Sequence, residues 1–239
     1  MEIEIPKDKL PKHIAFIMDG NGRWAQQRML PRIMGHREGA LVVERISEVG
    51  FKWGIPYLTF FAFSTENWKR PRDEVEGLMS LLDEGIDRFK DKLIENSIKL
   101  KVIGDVSGIP KYLQERIEKV IYETKRGDKG VLTIALNYGG RWDIVSACKK
   151  IALDFSKGKI SIDDINVESF SKYLSTYDIP DPDLLIRTSG EYRISNFLLW
   201  QLAYTELWFT NKYWPDFNEE DLKQACLEYA RRKRRFGGL

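Results

Sequence analysis

A chain of 239 residues with 43% hydrophobic and 12% aromatic side chains can bury a sizeable core, which excludes a disordered or fibrous class. Its 38 Lys and Arg against 36 Asp and Glu leave a formal net charge of +2, so no whole-molecule field points to nucleic acid as a partner. The opening MEIEIPKDKLPKH lacks the apolar stretch of a leader, and no run reaches the roughly 18 apolar residues of a spanning helix; a soluble cytoplasmic protein is expected.

In chain order, short runs rich in β-branched and aromatic residues predict strands at 13–19, 57–64, 100–105, 131–137 and 183–189, with a sixth near 207–210. Helical periodicity fills 35–50, 73–96, 110–125, 142–156, 166–174 and 218–235. The alternation predicts an α/β fold: one domain over 1–239, with a central parallel sheet of about six strands flanked by helices. Residues 13–217 form its core, and 218–239 a C-terminal helix and basic tail. Cys148 and Cys226 match no metal or redox spacing, fall in helical segments and read as core thiols. Folds of this class bind phosphate-type ligands beyond the carboxyl ends of their strands.

The first such end is MDGNGRW, at 18–24. GNGRWA satisfies the dinucleotide fingerprint, but Asp19 would face the pyrophosphate and Pro31 and Gly35 interrupt the following helix. Two readings of Asp19 remain. It caps a helix, or it holds a divalent cation that screens its charge and bridges to phosphate oxygens. Arg23, Arg32, Arg70, Arg187 and Arg193 follow strand ends, and five guanidinium forks at one sheet edge suit two diphosphates better than one. His36 is either a phosphate donor when protonated or a packing residue. In FFAFSTENW, strict alternation puts Phe61 and Phe63 on one face and Phe60 and Ala62 on the other, so an apolar cavity begins beside the phosphate edge unless this is an ordinary buried strand. Glu206, amid apolar neighbours, needs a metal or an arginine. The tail RRKRRFGGL reads as a solvated helix end or a contact for anionic surfaces.

Taken together, HIAFIMDGNGRWA, GHREG, FAFSTENWKRP, NYGGRWDI and DLLIRTSGEYRISNFLLWQLAYTELWF closely resemble the cis-prenyltransferases, above all the bacterial undecaprenyl diphosphate synthases. The blocks run in the family's order from about residue 13 to the tail. The resemblance implies a homodimer of one α/β domain with a hydrophobic tunnel. It implies Mg²⁺-dependent addition of isopentenyl diphosphate to farnesyl diphosphate, giving a Z-polyprenyl diphosphate, with undecaprenyl diphosphate, the carrier precursor of bacterial cell-wall polysaccharide, as the product. By the same resemblance Asp19 is the essential aspartate, acting with Mg²⁺. Gly20, Asn21, Gly22, Arg23, Trp24, Arg32 and His36 form the allylic diphosphate site. Ser64, Thr65, Glu66, Asn67, Trp68 and Arg70 contact substrate, and Asn67 is the residue the family assigns to proton removal. Arg187, Arg193, Ile194 and Ser195 match the isopentenyl diphosphate site, and Glu206 a metal-binding glutamate. Arg235, Phe236 and Gly237 match an element that in relatives reaches across the dimer. Tyr192 departs from the smaller or more polar side chains common at its place. An apolar product implies transient contact with the inner face of a membrane for release. A noncatalytic partner subunit of a heteromeric enzyme, or an enzyme with a shorter or decaprenyl product, is the alternative.

Overall fold

Five consecutive buried positions, HIAFI, make β1 (His13–Ile17) a strand covered on both faces, as a central parallel strand must be. The computed structural model describes residues 5–232. Its other strands are β2 (Tyr57–Ser64), β3 (Ile98–Ile103), β4 (Gly130–Tyr138), β5 (Leu184–Arg187) and β6 (Glu206–Phe209). They form one six-stranded sheet in the order β3-β4-β2-β1-β5-β6, with every pair parallel. The helices are α1 (Asn21–Gln27), α2 (Arg32–Lys52), α3 (Arg72–Glu95), α4 (Lys111–Thr124), α5 (Gly140–Ser156), α6 (Val167–Ser171) and α7 (Glu219–Arg231). Each predicted strand and helix is present, α6 ending at Ser171 short of the expected 174 and the end of the last predicted helix, 233–235, lying outside the described residues, and α1 is added in the glycine segment that the sequence marked only as a helix start. None of the described helices is long and apolar enough to cross a membrane.

The core has two sides. On one, Phe16 stacks on Phe60 with ring centroids 4.6 Å apart, and Trp214 stacks on Phe217 at 5.3 Å. Such aromatic pairs add roughly 0.5–1.5 kcal/mol each beyond the area they bury. On the other side Phe61 stacks on Phe197 at 4.3 Å, with Tyr138 against both edges.

Phe61 and Phe63 do not share a face, contrary to the alternation expected from the sequence. The register against β4 shifts between them, with Phe61 opposite Ala135 and Phe63 opposite Leu136. One extra residue in a strand reverses the side-chain alternation beyond it. Phe63 therefore packs with Val75, Met79 and Leu113, while Phe61 stays with Tyr138 and Phe197. A second correction concerns the thiols: Cys226 is buried, but Cys148 lies exposed on α5.

Candidate active site

The question raised by an acidic residue before a glycine loop is answered by β5. Ile17 pairs in register with Arg187, so the end of β1 and the end of β5 lie side by side. Arg187, only 3% exposed, donates from Nη2 to Asp19 Oδ2 at 2.8 Å, and Arg23 Nη2 donates to Oδ1 at 3.1 Å. Thr188 Oγ1 donates to the Asp19 carbonyl at 2.7 Å. Gly20 turns the chain at φ 99° and donates its N–H to Asp19 Oδ1 at 2.7 Å; a Cβ there would stand 2.5 Å from the Tyr213 ring. Burial alone would raise the Asp19 pKa, but the hydrogen bond and charge of Arg187, with Arg23 behind it, hold the carboxyl below its ordinary range. Arg187 Nη1 also donates to Ser195 Oγ at 2.8 Å and to the Arg193 carbonyl.

A second carboxylate organises the opposite wall. Glu74, on the first turn of α3, accepts from Arg32 Nε at 3.0 Å and Arg70 Nη1 at 3.0 Å, with His36 Nε2 at 3.4 Å. The pairing arginines hold Glu74 ionised against the opposing effect of burial. Burial, then the positive charge of Arg70, push the His36 pKa down to about 4, so the imidazole is neutral rather than a protonated donor. A third carboxylate, Glu191, takes Arg23 at 2.9 Å and also pairs with Arg193. The five arginines named from the sequence thus converge at the carboxyl edge of the sheet, where each pairs with Asp19, Glu74 or Glu191, and three carboxylates against five guanidinium groups leave this edge net positive.

Between these clusters runs the short 3-10 turn Thr65–Lys69. Asn67 Oδ1 accepts from Ser64 N at 3.0 Å, so its carbonyl oxygen is committed to capping the turn. Trp68 packs edge-on to Phe63 and donates its indole N–H to Asn137 Oδ1 at 2.8 Å.

A polar cavity of about 550 Å³ is lined by Asp19, Asn21, His36, Asn67, Arg187 and Ser195, along with Ser64, Glu66 and Arg70. It adjoins an apolar cavity of about 190 Å³ between α2, α3 and the sheet, whose walls include Phe60, Leu82, Ile86 and Phe89. Met18, Asn21, His36, Ala62 and Leu78 line both.

Other expected residues are placed differently. Trp24 turns away to bond Asp216 at 2.7 Å, and Ile194 packs against the Phe61 and Phe197 side of the core. Glu206 opens β6 opposite Leu184, at the amino end of the sheet and away from Asp19; its partner is Arg232 at 2.7 Å, the arginine alternative of the sequence reading. One chain therefore does not bring Asp19 and Glu206 together, and among the described residues no group of three His, Cys, Asp or Glu could hold a metal. Arg235, Phe236 and Gly237 lie outside the described residues. Sequence reasoning missed Glu74, Glu191, Thr188 and Asn196, the last donating to Glu66 Oε1 at 2.9 Å. Glu74 had a signal, its i,i+4 spacing from Arg70 at a helix start; Asn196 had none.

The chain's relatives share this architecture. The Prenyltransf family model, which describes undecaprenyl diphosphate synthases, matches residues 17–237. The isoprenyl transferase of Clostridium perfringens is 53% identical over 238 residues, covering 100% of this chain and 94% of that protein. That of Bacillus subtilis is 49% identical over 236 residues, covering 99% and 91%. Lavandulyl diphosphate synthase from Lavandula x intermedia, solved with dimethylallyl diphosphate, superposes with a TM-score of 0.94 at 38% identity, over 97% of this chain and 100% of its own. A Campylobacter jejuni protein described as a probable undecaprenyl diphosphate synthase superposes with a TM-score of 0.80 at 33% identity, covering 95% and 98%. An arginine-walled polar cavity opening into an apolar one suits diphosphate heads on hydrocarbon tails, and with these likenesses the chain belongs to the undecaprenyl diphosphate synthase family of prenyl transferases.

Proposed function

We propose that this chain elongates an allylic diphosphate, farnesyl diphosphate in particular, by repeated Z-condensation with isopentenyl diphosphate, and that undecaprenyl diphosphate is its product. The observation that carries this reading is the junction of the two cavities, which share Met18, Asn21, His36, Ala62 and Leu78. A diphosphate at the arginine edge would place its tail in the apolar cavity. The 38% identical lavandulyl diphosphate synthase, with its dimethylallyl diphosphate, supports an allylic site in the same fold.

The chemistry follows from what the arginines face. Two diphosphates would take guanidinium groups now shared with Asp19, Glu74 and Glu191, exchanging carboxylate forks for phosphate forks of similar geometry. Arg23, Arg32 and Arg70, with the N–H groups opening α1, stabilise charge developing on the departing diphosphate, so the allylic C–O bond breaks with carbocation character. Arg187, Arg193 and Ser195 hold the second diphosphate, fixing its alkene against that carbon. Attack by the alkene leaves a cation on the isopentenyl unit, and the adjacent C2 carbon gives up a proton to a diphosphate oxygen as its C–H electron pair becomes the Z double bond. Asn67 is a poor base as a neutral amide, and with its Oδ1 engaged by Ser64 N it offers an N–H₂ donor to orient substrate.

The donors fit a Mg²⁺ ion in one respect: Asp19 offers a single carboxylate beside a diphosphate site, and Mg²⁺ is commonly held by one or two carboxylates plus substrate phosphates. Asp19 would hold it, and when bound it supplies neutralisation of diphosphate charge. A homodimer, which the family resemblance implies, is part of the proposal. Product release at a membrane surface follows from the apolar product.

The test is incubation with farnesyl diphosphate, radiolabelled isopentenyl diphosphate and Mg²⁺, followed by chromatographic sizing. A ladder ending at eleven isoprene units, abolished by chelator and restored by added Mg²⁺, is expected; a ladder ending elsewhere corrects the product, and no incorporation sinks the proposal. Sedimentation velocity checks the dimer.

A further inference from the structure

Asn196 stands where three segments of the site meet, and the chemistry above gives it no part. Its Nδ2 donates to Glu66 Oε1 at 2.9 Å, in the turn after β2. Its Oδ1 accepts from Arg141 N at 2.9 Å, and its carbonyl accepts from Gly140 N at 2.6 Å, both at the start of α5. The approach is close enough to require a glycine: a Cβ on Gly139 would lie 2.7 Å from Asn196 Nδ2 and 2.8 Å from Thr65 Oγ1. Ser195 and Asn196 also hold consecutive positive φ angles, 47° and 62°, in the left-handed region. Non-glycine residues stay there only where their surroundings over-determine them.

The position of these contacts matters more than their number. Ser195 accepts from Arg187 at 2.8 Å, so the Asn196 segment carries the wall expected to hold isopentenyl diphosphate. Glu66 lies in the turn Thr65–Lys69, which Asn196 grips near its start. Arg70 follows the turn and is gripped by Glu74, which also holds Arg32 and neighbours His36 on the wall expected to hold the allylic diphosphate. The turn is thus a strut between two diphosphate walls, fastened at one end by Glu74 and at the other by Asn196.

We propose that Asn196 is a positioning residue that couples the two diphosphate sites, so that a ligand ordering either wall prepares the other. This rests on the two-diphosphate reading above. Coupling of this kind is reciprocal by thermodynamic necessity, and factors of about 5–150 are typical. The competing role for Asn196, a plain cap for α5, needs only its Oδ1; the coupling needs its Nδ2.

That difference makes the test. Binding of Mg²⁺–isopentenyl diphosphate is titrated calorimetrically with and without the unreactive thiolo analogue of farnesyl diphosphate, and the titration is repeated with the ligands exchanged. Wild type is expected to show each ligand tightening the other by about tenfold. Asn196→Asp keeps the acceptor for Arg141 N but sets a second carboxylate against Glu66, so it should stay folded while melting below wild type, and its coupling factor should fall below about two, since an aspartate cannot donate to Glu66. Glu66→Gln keeps an acceptor and should retain coupling. The double variant N196D/E66Q reverses donor and acceptor across the same gap and should recover the wild-type factor. Wild-type coupling in Asn196→Asp, or no recovery in a double variant that melts normally, overturns the proposal. Two ligands that bind wild type independently overturn it and leave the two-site reading standing, whereas failure of either ligand to bind wild type overturns that reading and the coupling with it.

Discussion

Asp19 carries one charge between two guanidinium groups, and removing it has two separable effects. Asp19→Asn keeps the shape but leaves Arg187, 3% exposed, without its counter-charge. Loss of turnover by at least about 100-fold is expected from initial rates, together with about 1–2 kcal/mol of stability in urea melts. Because Arg187 and Arg23 depress the Asp19 pKa against burial, this stabilisation is present above the unfolded carboxyl value near 3.9 and lost as pH falls through the lower folded value. Below about pH 4 the wild-type and Asp19→Asn melting curves should therefore converge. Glu74→Gln tests the other wall: with Arg32 and Arg70 no longer tied to one carboxylate, KM for the allylic substrate should rise about tenfold while the fold melts within about 1 kcal/mol of wild type. At this scale Asp19 and the arginines were legible because each sits in a motif at a strand end. Of Glu74 the sequence shows only the i,i+4 spacing from Arg70, and of Asn196 nothing, because their remaining partners are ones that only the folded chain supplies.

The strands and helices were legible from period alone, since a sheet buried on both faces reads as apolar runs and its helices as amphipathic intervals. The bulge in β2 was not, because FFAFS offers no residue that marks an extra position, and the misassigned faces of Phe61 and Phe63 followed from assuming a constant period of two. On α3 the apolar stripe Leu78, Leu82, Gly85 and Phe89 lines the cavity, and a Cβ on Gly85 meets nothing within 4 Å. A glycine inside a helix costs about 1 kcal/mol relative to alanine, so Gly85→Ala should raise stability by about that amount. Gly85→Leu should fill cavity space and shorten the product ladder while sparing the first condensation, read by chromatographic sizing beside single-turnover assays. Glu206 shows the limit of motif reading from the opposite side: its residue type was right for a metal, but strand register puts it at the far end of the sheet beside Arg232.

Across the whole molecule the two histidines set how stability responds to mild acid. His13 is buried, its Nδ1 2.6 Å from the Pro180 carbonyl and its Nε2 2.7 Å from Thr59 Oγ1, so it ties the amino ends of β1 and β2 to the segment before β5. Burial pushes its pKa down from 6.5 to about 4, and His36 is lowered to about 4 as well. The unfolded chain thus binds more protons than the folded one between those values, so stability rises with pH across the window and is lost as pH falls from 6.5 towards 4. For His13 the loss is on the order of 3 kcal/mol. Urea melts at intervals from pH 7 to 4 should show this slope, and His13→Asn should reduce it to the part that His36 contributes.

The place of β1 in the sheet has a consequence for biosynthesis. It is the first strand made, yet it lies between β2 and β5, and β5 begins about 170 residues after β1 ends. At roughly 5–20 residues per second, the ribosome leaves that edge of β1 unpaired for on the order of ten to thirty seconds. During that time the nascent chain exposes an apolar strand edge of the kind that recruits other strands. Arg187 arrives only with the strand that closes this edge, so Asp19 gains its buried counter-charge in the same event that ends the hazard.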